Sequence, residues 1–148
     1  MRDPRAALLP ALAQARIGAG EGGVPVGAAL WRGEELLAVG RNQRVQQGNP
    51  ILHGETHCLQ EAGRLPASVY RECTIATSLS PCDLCTGAIL LFGIPRVVVG
   101  ENRSFLGAEA ALRAAGVEVV VVDDAECHAL MQDFIRREPQ LWNEDIAT

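Results

Sequence analysis

The chain predicts an α/β fold in which one sheet is covered by helices on both faces. Two observations predict it. Short apolar runs with the length of strands recur along the sequence, bounded by Gly, Pro or charged residues. From Thr74 onward these runs alternate with segments of helical apolar spacing, the pattern of strands joined through helices. At 148 residues and 48% apolar content the chain has room for one domain with a real core, 1–148, and no comfortable room for two.

The elements follow in order. Apolar residues over 5–17 recur at roughly helical spacing despite Pro10, and the glycine-rich stretch 18–23 is expected to break that helix. Segments 26–31 and 36–41, separated by Arg32-Gly33-Glu34-Glu35, read as an antiparallel hairpin. A polar loop over 43–50 leads to a helix over 53–63 that ends on a glycine cap and carries His53 and Glu55 in its first turn. Residues 74–78 form a third strand, after which Ser80-Pro81 opens a helix with proline in the first turn, where a missing N–H costs nothing. The remainder reads as strand 96–100, helix 108–115, strand 117–122 and a last helix over 126–138 stopped by Pro139.

Bulk properties exclude several classes of function. The formal charge of −5 opposes a nucleic-acid partner, since phosphate contacts need a basic surface. All 13 basic residues are arginine, so no lysine exists to form a Schiff base. No run of 18 apolar residues is present, and 1–10 has no small-residue cleavage site, so a soluble, unprocessed protein with no membrane partner is expected. The five cysteines are odd in number and irregularly spaced, which fits free thiols and metal ligation in a reducing, cytoplasmic setting better than disulfides.

The chemistry concentrates in His53-Gly54-Glu55 and Pro81-Cys82-Asp83-Leu84-Cys85. One imidazole and two thiolates would hold zinc and leave its fourth tetrahedral position for water, whereas a structural site fills that position with protein. Zinc lowers the pKa of bound water from 15.7 towards about 7. Glu55, two residues from His53, is the candidate proton shuttle, and the set points to hydrolysis at an amino-bearing carbon. A helix amino terminus favours thiolates at Cys82 and Cys85, whose i, i+3 spacing points both sulfurs to one side.

Two other readings stay open at this point. A lone Cys-x-x-Cys also suits a redox pair, although that gives no reason for His53 and Glu55. His57, four residues after His53, shares its helix face and makes a closed site of His53, His57, Cys82 and Cys85 thinkable, a zinc-stabilised module without catalysis. His128 reads as a surface or packing residue, and Cys58, Cys73 and Cys127 read as buried fillers.

These strings, with 21–27, Ser80-Pro81-Cys82-Asp83-Leu84-Cys85-Thr86-Gly87-Ala88-Ile89, 93–96, 98–102, 119–124 and the tail 138–146, closely resemble the yeast-type cytosine deaminases of the cytidine deaminase-like superfamily. The likeness covers most of the chain. It implies a three-layer α/β/α sandwich around a mixed five-stranded sheet, a homodimer, and one catalytic Zn2+ per chain on His53, Cys82 and Cys85. It implies that Asn42 and the Gly54 N–H bind a ring carbonyl, that Glu55 faces the ring nitrogen beside the amino carbon, and that the Ser80 carbonyl receives the departing amine. Phe105, Trp142 and Asp145 would complete the pocket, under a carboxy-terminal lid over 143–148. The implied reaction converts free cytosine to uracil and ammonia through a zinc hydroxide, a step of pyrimidine salvage.

The chain departs from the family pattern at Asn143, normally aromatic, at Thr56-His57, normally Ile-Ser, and at Leu106-Gly107-Ala108, where basic residues are usual. These changes leave the metal chemistry intact and bear on the ring. The alternatives are therefore another small amino heterocycle (guanine, creatinine or a triazine) and a tRNA-editing adenosine deaminase, against which the acidic charge and the lack of a basic carboxy-terminal helix argue.

Overall fold

Helix α1 (Pro4–Gly20) shows what packing does to a weak local signal. An interior proline costs a helix about 3 kcal/mol, whereas burying one leucine returns about 1.5–3 kcal/mol. Ala7, Leu8, Ala11, Leu12 and Ala15 all face the core, so the helix continues through Pro10. It also runs one turn into the glycine stretch expected to break it, closing where the Glu21 N–H reaches the carbonyls of Ile17 and Gly18. The structure, a computed structural model, describes residues 3–148. The expectation of an unprocessed amino terminus rests partly on Met1 and Arg2, which lie outside the described residues.

The hairpin forms as expected from β1 (Gly27–Arg32) and β2 (Glu35–Arg41), with a bulge between Leu30 and Trp31. The polar loop that follows contains a single-turn helix, α2 (Arg44–Gln47), closed by Gly48 in the left-handed region. Then come α3 (Gly54–Ala62), a second single turn α4 (Ala67–Tyr70), β3 (Cys73–Leu79) and α5 (Asp83–Phe92). The chain ends with β4 (Arg96–Glu101), α6 (Glu109–Ala114), β5 (Glu118–Val121), α7 (Ala125–Arg137) and α8 (Pro139–Asp145). Pro81 precedes α5 and does not occupy its first turn, because Cys82 takes the cap position. Pro139 does end α7, but it also starts α8, since proline suits a first helical turn.

The sheet is mixed, in the order β2-β1-β3-β4-β5. β1 is antiparallel to both neighbours, while β3, β4 and β5 run parallel. Alternation with period two sends Ala28, Leu30, Ile75, Val97 and Val99 to one face, where Cys58 and Leu59 of α3, Ile89 of α5 and Leu112 of α6 cover them. Ala29, Trp31, Ala76 and Val98 point the other way, against α1 and Cys127 of α7. This is the expected three-layer α/β/α arrangement. A third cluster, Val24, Val26, Leu79, Met131, Phe134 and Trp142, sits at one end of the sheet and attaches α8 to it. Among the described residues no helix is long and apolar enough to cross a membrane.

Candidate metal centre and active site

Two helix starts meet where β3 ends. His53 is the cap of α3, one position ahead of the first turn in which the spacing places it, and Cys82 is the cap of α5 with Cys85 one turn on. The entry to α3 is locked by Thr56, whose hydroxyl accepts the His53 N–H at 2.8 Å and donates to the Ile51 carbonyl. Gly54 is needed at the next position for closeness: a Cβ there would lie 2.9 Å from the Val26 carbonyl oxygen. The Asn42 N–H donates to that same oxygen at 3.0 Å, so β1, β2 and α3 converge on one point.

The donor atoms of His53, Cys82 and Cys85 all lie within 4.8 Å of one another, and among the described residues they are the one such group that could hold a metal ion. His53 Nδ1 is 3.3 Å from Cys82 Sγ. Bond lengths of about 2.3 Å to sulfur and 2.0–2.1 Å to nitrogen place tetrahedral zinc ligands roughly 3.5–3.8 Å apart, so this soft donor set fits the ion. The remaining imidazole nitrogen, Nε2, faces the buried Asp145 carboxylate at 3.6 Å, the kind of outer partner that fixes a ligating histidine's tautomer.

Left to themselves, these side chains share protons. A hydrogen bond from Cys85, and another from His53, hold Cys82 down at about 4, against the desolvation of its site. Cys85, the partner giving up that proton last, is pushed well above the ordinary thiol range by the Cys82 sulfur and by burial. Burial pulls His53 down, but the Cys82 sulfur, Asp145 and Glu55 together raise it to about 9. Taking up a divalent cation through Nδ1 and both sulfurs therefore has to release protons.

Glu55 is 3% exposed. Burial first, and the Cys82 sulfur second, raise its carboxyl to about 7, the range in which a carboxylate both takes and gives a proton near neutral pH. It lines a small cavity together with His53, Cys82, Asn42, Ser80, Phe105, Trp142 and Asp145, so the structure brings the sequence-predicted residues to one place. Gly54 lies at its edge through the Val26 contact, and Cys85 sits behind Cys82, fully buried. Asn42, itself 1% exposed, accepts the Arg44 N–H on Oδ1 at 2.9 Å and donates one Nδ2 hydrogen to Asp145 at 3.1 Å, which leaves its second amide hydrogen for another acceptor. Phe105 meets Trp142 edge to face at 6.0 Å.

His57 is not part of this centre. Its Nδ1 accepts the Arg41 N–H at 3.0 Å and its Nε2 faces Glu61 at 3.3 Å, so it fastens α3 to β2. The closed four-ligand alternative therefore lacks its fourth ligand. Cys58, Cys73 and Cys127 lie in the core, and His128 is half-buried on α7. Asn143 points to solvent; the cavity roof comes from Trp142, Asp145 and Ile146, which share one face of the tail by i, i+3, i+4 spacing. Ile146 falls within the lid expected over 143–148, and helical spacing picks it out there, whereas Val26 and Leu79 also line the cavity without a signal in the sequence.

Comparison with known proteins decides the family. The cytidine and deoxycytidylate deaminase zinc-binding region matches residues 1–101. This chain belongs to that family. It is 51% identical to a cytosine deaminase of Candida albicans over 145 residues, 97% of each chain. A tRNA-specific adenosine deaminase of Streptococcus pyogenes is 30% identical over 125 residues, 77% of this chain and 78% of the other. A guanine deaminase structure from Nitrosomonas europaea superposes with a TM-score of 0.70 at 24% identity, covering 90% of this chain and 85% of that one, a likeness of fold. The family's zinc-binding character and the His53, Cys82, Cys85 group agree on one metal ion for the site.

Proposed function

We propose that this chain is a zinc-dependent cytosine deaminase that converts the free base to uracil and ammonia, with Glu55 as the proton shuttle. One observation carries the reading: the buried Glu55 opens onto the same small cavity as His53 and Cys82 of the metal-binding group and the Asn42–Asp145 pair. Near-full-length identity to a cytosine deaminase supports cytosine over guanine, creatinine or a triazine as the ring.

His53, Cys82 and Cys85 would hold the zinc ion, which would supply the Lewis acidity that activates water near neutral pH. The chain's own residues do the rest. The second Asn42 amide hydrogen and the Gly54 N–H, one of the orphan donors of a helix start, hold the ring carbonyl. Glu55 takes the proton of the attacking water and delivers it to the ring nitrogen beside the amino carbon, then takes the remaining proton of the added hydroxyl and passes it to the amine, which leaves as the C–N bond breaks and the carbonyl forms. The Ser80 carbonyl receives that amine. Phe105, Trp142 and Ile146 exclude water, which strengthens every polar contact inside.

The cavity has about 20 Å³ of free space, room for about one water. A pyrimidine therefore enters as the tail lifts, from a groove of about 630 Å³ outside it that Arg44, Asp83, Leu106 and Glu144 border. So small a cavity favours a free base over a tRNA, in line with the acidic charge of −5. The chain would act as one domain, in the cytoplasm, as a homodimer. The apolar groove of about 600 Å³ edged by Leu59, Tyr70, Leu91 and Phe92, with Leu91 80% exposed, supports the dimer.

The test is a panel of cytosine, cytidine, guanine and creatinine offered to the zinc-loaded protein, with ammonia and the deaminated ring both measured. Uracil and ammonia from cytosine, and nothing from cytidine, is the expected result. Turnover of guanine or creatinine with none of cytosine moves the assignment to another heterocycle.

A further inference from the structure

Glu109 opens α6, is not among the residues that could hold the metal, and is 3% exposed. A carboxylate is buried at high cost unless its oxygens are engaged. Here Oε2 accepts the Ser80 hydroxyl at 2.6 Å. Oε1 accepts from Asn102 Nδ2 at 3.3 Å, with the Arg113 guanidinium 3.5 Å away. The Ser80 Oγ in turn accepts the Gly107 N–H at 2.9 Å, so this hydroxyl donates once, accepts once and has its rotamer fixed.

What Glu109 ties together is the informative point. Ser80 lines the cavity two residues before the metal-ligand candidate Cys82, and Gly107 follows Phe105, the aromatic wall of that cavity, by two residues. The two segments touch without slack: a Cβ on Gly107 would lie 1.9 Å from the Pro81 carbonyl oxygen, which already accepts the Ala108 N–H at 3.0 Å. A carboxylate that only neutralised Arg113 would need neither Ser80 nor Asn102.

We propose that Glu109 is a positioning residue that acts through Ser80, setting the Ser80–Pro81 crossover and the Phe105 loop against each other in the catalytic geometry. The proposal rests on the deaminase function given above. It makes Glu109 and Ser80 one unit, so their effects on turnover are shared and do not multiply.

The experiment compares Glu109→Ala, Ser80→Ala, the double variant and Glu109→Gln, all zinc-loaded, by ammonia release from cytosine. Each single alanine variant is expected to lower kcat/KM by about tenfold, mostly in kcat, with one zinc per chain retained. The double variant should be no worse than the weaker single within about twofold. Glu109→Gln should stay within about threefold of the parent, because its amide oxygen accepts the Ser80 hydroxyl. Multiplying effects, a Glu109→Gln as impaired as Glu109→Ala, or parental kinetics in the alanine variants would each overturn the proposal. If Glu109→Ala does not fold, Ser80→Ala against Glu109→Gln decides, and parental kinetics in Ser80→Ala overturns it. If the parent protein releases no ammonia from cytosine, the functional reading fails by itself, and amide hydrogen exchange becomes the readout. Faster exchange at Gly107 and Ala108 in Glu109→Ala then supports the clamp, and unchanged exchange overturns it.

Discussion

The floor and the roof of the cavity are built by opposite means. The floor, His53, Glu55, Cys82 and Cys85, comes from two helix starts, each set by a stretch of a few residues. The roof, Phe105, Trp142, Asp145 and Ile146, comes from a loop after β4 and from the tail, and it is held by contacts that span the chain. Asn42 and Asp145 are 103 positions apart and 3.1 Å distant. Such a division lets the floor keep its chemistry while the roof changes the ring that is admitted. It also means that damage to the two regions should look different.

The largest expected effect breaks the floor. Cys82→Ala or His53→Ala should take zinc from one per chain to near zero and activity to background, measured by metal analysis beside ammonia release, with a lower Tm because the stabilising ion no longer binds. Next comes the roof. Trp142→Ala removes a buried ring from the cluster of Val24, Val26, Leu79, Met131 and Phe134, at about 3–5 kcal/mol by denaturant titration, while zinc stays at one per chain. Loss of zinc in that variant would erase the distinction between the regions.

A smaller effect is expected at His57→Ala. Zinc should remain, because His57 serves the Arg41 N–H and not the metal, and stability should fall by about 1–3 kcal/mol as that amide loses its acceptor. Loss of metal would restore the four-ligand site. Smallest is Glu21, whose hydrogen bonds from Arg41 and Gln46 hold it down at about 2 from an ordinary 4.5. The folded value is the lower one, so this contribution is complete above about 4.5 and is lost as pH falls through 2. Glu21→Gln should therefore lower Tm slightly at neutral pH, and the gap should close on acidification; a gap that persists at pH 2 would contradict the ion pair. The pair is exposed, so the difference will be small and salt-sensitive.

Legibility in the sequence follows the same division. The floor was readable because metal ligands and a helix start are local: His-x-Glu and Pro-Cys-x-x-Cys carry their own spacing. The sheet was readable because period-two and helical patterns are local too. The single turns α2 and α4 escaped because one turn carries no periodicity. Helix α8 escapes because Pro139, next to the end of α7, signals a stop as readily as a new start. Asn143, expected in the lid, is turned to solvent by α8, which presents Trp142 and Ile146 to the cavity. Thr56 and His57, departures from the family pattern of which the second also reads as a possible fourth ligand, have structural work: one caps α3 and the other docks it on β2. The Ser80–Glu109 link lies 29 residues apart and had no local signal at all.

Central to the account is a floor in which Glu55 moves protons without holding the metal. Glu55→Gln keeps the shape and removes the proton-transfer function, so zinc content and ammonia release from cytosine on the same preparation test it most directly. The prediction is one zinc per chain with turnover down by roughly 10²–10⁴-fold. Parental turnover, or zinc lost together with activity, would contradict it.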